Sequence, residues 1–340
     1  PDEEARGRCI ALAEAQGLQL FHVVDGSSAE AAARQFHKDG FVALRDVLTG
    51  EELTTLQAAS AQIVRRAVRA NPYGNRGANR YSMHRTTIVG ACLEVVDNLA
   101  VCSVLEHIWR CANFTVQCTG GDFSLPGAAV QEMHADMGSR HNIEHFFAYH
   151  DPEHPGRGFC DLPTPVVKVY FAMVDFDDAT GPPLFVPGSH WRYSREDVPE
   201  DDPPESVKAF CPRGSAILMD MRVWHHGTEN RSQIARPMLS VHYAGPCYNE
   251  AMLLKTSMCW EYHKGAVSLT RLRSLRVQAQ RLCKNLLPDR CYQCDCLAEQ
   301  GRRGTGLYAG FWYCLECWEQ WQAPQSEAEK LIETGAEVKT

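Results

Sequence analysis

Gln131-Glu132-Met133-His134-Ala135-Asp136 carries a His-x-Asp step. In an extended strand, residues two apart point to the same face, so His134 and Asp136 can grip one cation from one side. Such a pair arises often by chance and needs a third ligand from elsewhere. Asp220-Met221-Arg222-Val223-Trp224-His225-His226-Gly227, at the end of an apolar run behind Arg213-Gly214, offers two candidates. A one-residue step flips a strand side chain to the other face, so only one of His225 and His226 can join the pair. Two histidines and one carboxylate on one face of an octahedron leave three positions open. That arrangement suits ferrous iron that must also take a cosubstrate and O₂.

The surrounding sequence supports a mainly β fold with flanking helices. Short β-like runs cover Phe114 to Thr119, Val166 to Val174, Ala216 to Met219 and Met238 to Tyr243, separated by Gly, Pro and Asp. That texture predicts a sandwich or barrel. Upstream, Glu30 to Phe36, Glu51 to Val68 and residues 91–112 have helical spacing, and Gly40 to Leu44 reads as a strand. Thr49 is a candidate N-cap before Glu51 and Glu52. Residues 71–90 and 137–163 read as loops. Within them Asn79, Arg80, Tyr81, Arg140, His141 and His145 are candidates to cover an open site, with plain surface loop as the alternative. Residues 195–206 are acidic and Pro-rich and read as a surface loop. Residues 265–287 predict a helix whose Arg271, Arg273, Arg276, Arg281 and Lys284 form a solvated face.

Four blocks resemble one known family. They are Phe36-His37-Lys38-Asp39-Gly40-Phe41-Val42, His134-Ala135-Asp136, Gly181 through His190, and Trp224 through Ser232 followed by Arg236-Pro237. In this order they are similar to the phytanoyl-CoA-hydroxylase-like branch of the iron(II)/2-oxoglutarate oxygenases. The resemblance implies a double-stranded β-helix, a cupin-like jelly roll. It implies His134, Asp136 and His225 as iron ligands, because the family's arginine stands eleven positions after its ligand histidine, as Arg236 does after His225. It implies that Arg236 grips the distal carboxylate of 2-oxoglutarate, for which a guanidinium fork is suited. Asp136 points to hydroxylation or another oxidation, since the related halogenases lack this carboxylate. Lys168 and Tyr170 share one strand face, and with Gln131 they are candidate cosubstrate contacts. Pro187-Gly188-Ser189-His190 reads as a turn, with His190 structural.

The C-terminal region is different. Cys291-Tyr292-Gln293-Cys294 and Cys314-Leu315-Glu316-Cys317 are two Cys-x₂-Cys knuckles separated by 19 residues. That spacing predicts a closed, tetrahedral structural zinc site, with disulfides or free thiols as the alternative. Cys296 is a spare thiol, and Trp312, Tyr313, Trp318 and Trp321 supply apolar surface. The expected organisation is an oxygenase domain over residues 1–265, helical over 1–112 with a jelly-roll core over 113–250. A connector at 266–290, a zinc module at 291–321 and a tail at 322–340 follow.

Hydrophobic residues make up 44% and charged residues 22%, an ordinary globular balance. The net charge of −8 disfavours non-specific binding to nucleic acid or anionic membrane. No apolar run reaches the length of a membrane span. Pro1-Asp2-Glu3-Glu4 does not read as a signal peptide. Most of the 15 cysteines lie singly among apolar residues and read as buried thiols, which fits an intracellular, cytoplasmic setting. The expected partner is a small-molecule substrate. The alternative is a nucleic acid or protein substrate recognised through the zinc module.

Overall fold

The computed structural model describes residues 3–83, 90–137, 163–192, 198–246, 248, 268–286, 291, 293–294, 296, 300–303 and 312–320. The candidates Arg140, His141 and His145, Trp321 and the tail 322–340 lie outside them.

Four helices lead the chain: α1 (Glu3–Ala15), α2 (Gly26–Asp39), α3 (Gly50–Ala70) and α4 (Leu99–Trp109). Local chemistry fixes their ends. Asp25 and Ser28 form a capping box on α2, and Thr49 with Glu52 forms one on α3. Asn98 accepts the Val101 amide at the start of α4. Gly40 ends α2 in the left-handed region at φ 84°, where an added Cβ would stand 2.5 Å from His190 Nδ1.

The strands are β1 (Leu20–Phe21), β2 (Phe41–Leu44), β3 (Arg80–Ser82), β4 (Thr115–Ser124), β5 (Val166–Ala172), β6 (Pro183–Phe185), β7 (Val207–Lys208), β8 (Ala216–Asp220), β9 (His225–Gly227) and β10 (Arg236–Ala244). The larger sheet runs β1-β2-β8-β5-β10-β4-β3 and the smaller β7-β6-β9. His134 joins the smaller sheet through an antiparallel bridge to His225. From β4 to β10 the chain repeatedly crosses between sheets: β4 lies in the larger, His134 in the smaller, β5 in the larger, β6 and β7 in the smaller, β8 in the larger, β9 in the smaller, β10 in the larger. That interleaving of two antiparallel sheets is a jelly roll, a double-stranded β-helix.

Strands β2, β5, β8 and β10 of the larger sheet alternate strictly. Val167, Val169 and Phe171 of β5 and Leu239, Val241 and Tyr243 of β10 join a core with α2 and α4. Ile217, Met219, Tyr170 and Met238 face the smaller sheet with Phe41, Phe176 and Phe185. The inward face therefore also receives Lys168, Tyr170 and Asp122, and Arg236 begins β10. Gly121 permits the pairing of β4 and β10, because a Cβ there would sit 2.1 Å from the Met238 carbonyl oxygen.

The connector departs from expectation. Instead of one helix over 265–287 there are two short ones, α5 (Leu269–Arg273) and α6 (Val277–Leu282). At the break, the Ser274 hydroxyl donates to the Arg271 carbonyl at 2.7 Å, a local bond that competes with helix continuation. Nor is the basic face simply solvated. Arg271 pairs with Glu94, Arg276 holds Asp97 through Nε at 2.9 Å, and Arg281 donates to the Ala112 carbonyl at 2.6 Å. Leu272, Leu275, Ala279, Leu282 and Leu286 enter the helix-side core, which thus runs past the boundary expected at 265. In the cysteine region β11 (Gly301–Arg303) pairs with β12 (Trp312–Cys314). No described helix is long and apolar enough to cross a membrane.

Candidate active site

The backbone bridge sets the centre of the site. His134 N–H donates to the His225 carbonyl at 3.0 Å and His225 N–H returns the bond at 2.8 Å. The two imidazoles are thereby held side by side, and Asp136 follows on the same face. His134 Nε2 lies 3.8 Å from Asp136 Oδ1, and His225 Nε2 lies 3.9 Å from Asp136 Oδ2. One atom from each of the three falls within 4.8 Å of the others. His134 Nδ1 is 2.9 Å from the Glu132 carbonyl oxygen, and His225 Nδ1 is 2.9 Å from that of Val223. A carbonyl only accepts, so each Nδ1 carries the proton and each Nε2 offers a lone pair. Burial, reinforced by His134, pulls the pKa of His225 down to about 4, against the pull of Asp136, so its ring is neutral at neutral pH.

His226 faces the other way. Its Nε2 sits 2.7 Å from Asp202 Oδ1, and it is not among the three groups whose ligand atoms cluster, although it also lines the cleft. The strand geometry thus separates the two histidines that sequence alone leaves in competition.

A charged floor lies beside the triad. Lys168 Nζ is 3.1 Å from Asp136 Oδ2 and 3.5 Å from Asp122 Oδ2, and it stands 4.6 Å over the Tyr170 ring. The Tyr170 hydroxyl donates to Asp122 at 3.3 Å. Burial favours a neutral Asp136, but Lys168, His225 and His134 outweigh it and hold the carboxyl well below the usual range. Burial likewise opposes the charge on Lys168, and Asp136 leads the groups that restore it. Lys168 and Tyr170, the expected cosubstrate contacts, are thus engaged with carboxylates.

Two arginines flank this floor and differ sharply. Arg80 is buried, with its guanidinium donating to the Ala129 carbonyl at 2.7 Å, to Gly227 at 3.0 Å and to Thr228 at 2.6 Å. Gln131 Oε1 accepts the Gly227 N–H at 3.0 Å. A Cβ at Gly227 would stand 2.5 Å from Gln131 Oε1 and 2.6 Å from Arg80 Nη1, so only glycine lets both brace β9. Gln131, expected as a cofactor contact, commits its amide oxygen to that brace. Arg236 is 1% exposed, and among the described residues its Nε and Nη1 have no hydrogen-bond partner. Burial and then the like charge of Arg80 lower its pKa to about 9, while Asp122 pulls back.

His134, Asp136, His225, Lys168, Asp122 and Arg236 line one cleft. Sequence reasoning misses Asp122 and the buried role of Arg80 as site features. Asp122 follows Gly120-Gly121, which reads as a turn, and Arg80 sits in a Gly- and Asn-rich stretch. The signal that could have found Asp122 is a carboxylate flanked by Phe123 beside a β-like run. His190 is buried, with Nε2 3.2 Å from the His37 carbonyl oxygen, and Gly188 takes φ 74° in the turn before it.

A two-sheet jelly roll with two histidines and a carboxylate converging at its mouth places the protein among the cupin-like folds with a candidate metal centre. The family model for phytanoyl-CoA dioxygenase (PhyH) matches residues 36–238, and the chain belongs to that family. The chain is 32% identical over 151 residues to dioxygenase olcK of Penicillium canescens, a match covering 44% of this chain and 45% of olcK. It is 24% identical over 237 residues to dioxygenase trt7 of Aspergillus terreus, covering 65% of this chain and 74% of trt7. Among solved structures, the non-heme α-ketoglutarate-dependent epimerase SnoN from nogalamycin biosynthesis is similar with a TM-score of 0.48 at 15% identity. That match covers 70% of this chain and 92% of SnoN.

Proposed function

We propose that this chain is an iron(II)- and 2-oxoglutarate-dependent dioxygenase that hydroxylates a small-molecule substrate. In this reading His134, Asp136 and His225 hold the iron and Arg236 anchors 2-oxoglutarate. The observation that carries it is the buried guanidinium of Arg236, without a partner at Nε and Nη1, in the same cleft as the triad. A buried, unpaired charge is unfavourable by several kcal/mol. A carboxylate that takes two parallel N–H donors relieves it. The donor set fits the metal equally well: two imidazoles whose Nδ1 faces a carbonyl oxygen leave Nε2 for the ion, and Asp136 is held ionised.

Charge balance supports joint binding. Arg76, Arg80, Lys168 and Arg236 face Asp122 and Asp136 in the cleft. A divalent cation and a dianionic cosubstrate enter together without changing that balance. When bound, ferrous iron with 2-oxoglutarate supplies oxidation by O₂, with the cosubstrate leaving as succinate and CO₂ and one oxygen atom going to substrate. The chain's own residues do the positioning. Lys168 orients Asp136, the Arg80 and Gln131 brace fixes β9 and so His225, and Tyr170 orients Asp122.

Nucleic acid as the substrate draws no support from the connector, because Arg271, Arg276 and Arg281 are engaged with the oxygenase itself. The test is succinate release by the ferrous protein across a panel of small-molecule acceptors. Substrate-stimulated succinate that needs iron is the expected result. Absence of iron-dependent 2-oxoglutarate binding by calorimetry would overturn the reading.

A further inference from the structure

Five cysteine sulfurs meet in the C-terminal region, one more than a tetrahedral metal needs. Sγ atoms of Cys291, Cys294, Cys314 and Cys317 lie within 4.8 Å of one another. Cys294 Sγ is 3.8 Å from Cys314 Sγ. Four sulfurs bound at about 2.3 Å around a tetrahedral zinc stand roughly 3.8 Å apart, so this edge already has the bound length. Cys296 is the fifth. Its Sγ lies 3.2 Å from Cys294 Sγ, and it also hydrogen-bonds to Cys314. The Cys291 amide donates to the Cys296 carbonyl at 2.8 Å, which folds Cys296 back over the first knuckle. A separation of 3.2 Å is too short for two corners of one zinc tetrahedron. Cys294 and Cys296 therefore compete for a single corner.

The burial pattern agrees. Cys291, Cys314 and Cys317 are buried, whereas Cys294 and Cys296 are exposed. The apolar cluster here consists of Cys291, Tyr313, Cys314, Cys317 and Trp318 with Trp312 packed against it. A core this small does not hold a fold unaided.

We propose that this region binds one structural zinc ion through Cys291, Cys314, Cys317 and a duplicated fourth corner. Cys294 is the resident ligand there and Cys296 its stand-in. The duplication lies at the solvent-exposed corner, which an electrophile or oxidant reaches first. All four positions are filled by thiolate, so the site has no open coordination for catalysis.

The experiment measures zinc per full-length chain by elemental analysis, with cobalt substitution to count thiolates from the charge-transfer absorption. Wild type and Cys296→Ser should each hold about one zinc with four thiolates. Cys294→Ser should keep the metal and all four thiolates, because Cys296 moves in. Cys294→Ser/Cys296→Ser should lose one thiolate and bind markedly more weakly, and Cys314→Ser should lose the metal. A Cys294→Ser protein that is zinc-free, or that retains metal with one thiolate fewer, would overturn the stand-in role. Wild type without zinc would overturn the site.

Discussion

The jelly-roll cleft and the cysteine region each gather metal-binding side chains, but their supports are opposite. In the cleft, paired backbones place the groups. His134 and His225 sit on a reciprocal hydrogen-bonded bridge, and Arg80 and Gln131 brace the strand beneath. A full two-sided core lies behind them. In the cysteine region the candidate ligands are themselves most of the buried cluster. The first site is thus preformed by the fold. The second, in the reading proposed above, depends on its ion to hold its structure. Where the fold makes the site, removing a ligand should abolish chemistry and leave the fold standing.

The largest expected effect tests that directly. Asp136→Ala should reduce 2-oxoglutarate turnover by more than about 100-fold, beyond the ~10–100-fold typical of groups outside the ligand set. Its thermal unfolding should remain cooperative but at a lower temperature than wild type, because Lys168 loses the carboxylate that sustains its buried charge. His226→Ala, which breaks only the contact to Asp202, should keep the iron stoichiometry. Iron loss in His226→Ala with full retention in Asp136→Ala would reverse the assignment of faces.

Arg236→Met comes next. Removing one partner of a buried charge pair typically costs about 3–5 kcal/mol, so KM for 2-oxoglutarate should rise by at least about 100-fold. The same substitution removes a buried charge that lacks a partner in the free protein. Cosubstrate-free Arg236→Met should therefore unfold at a temperature no lower than wild type. Wild type should gain stability on adding iron and 2-oxoglutarate, and the variant should not. A variant with unchanged KM would assign the cosubstrate to another cation.

Acid distinguishes the regions through His225. Its folded pKa is about 4, below the value near 6.5 of an unfolded histidine. Between those values the unfolded chain binds the extra proton, so stability falls as pH drops through that window. For the metal-free protein the loss amounts to roughly 3 kcal/mol by pH 4. His37 and His190 are also lowered by burial and add with the same sign. Urea midpoints from pH 7 to 4 should fall, and His225→Asn should flatten part of the slope. An equal slope in that variant would mean His225 titrates normally.

How much of this is readable in the residues follows the same divide. Local signals with one physical cause translate directly: Thr49 caps α3, and the β-like runs form β4, β5, β8 and β10, while Gly40, read as a strand residue, instead ends α2 in the left-handed region one residue before β2. The His134–Asp136 pair is legible from strand periodicity, whereas the preference for His225 over His226 comes from the family resemblance. What escapes the sequence depends on distant partners. Nothing near Asp122 announces Lys168 or Tyr170, and Arg80 looks like loop chemistry until its three carbonyl acceptors are assembled. The basic connector reads as solvated because Glu94 and Asp97 lie far away in sequence.

That connector joins the two regions and gives the smallest expected effect. Arg276 is largely exposed, but Asp97, which it clasps, is buried, and Arg276 also donates to the Glu94 carbonyl at 2.6 Å. The asymmetry sets the size. An exposed ion pair alone is worth roughly 0–1 kcal/mol, whereas leaving a buried carboxylate short of donors costs about 1–3 kcal/mol. Arg276→Ala should therefore destabilise the oxygenase unit by about 1 kcal/mol, above a surface pair and below a core cavity. The buried Leu272, Leu275 and Leu282 still hold α5 and α6 to the core, so the connector should loosen rather than detach. Hydrogen exchange should show faster amides in α5 and α6, with those of β5 and β10 unchanged. Asp97→Asn should remove most of the added cost when combined with Arg276→Ala, since it removes the charge left without its partner. If the double variant is as unstable as the sum of the singles, the clasp is not an interacting pair and the helix-side leucines alone hold the connector.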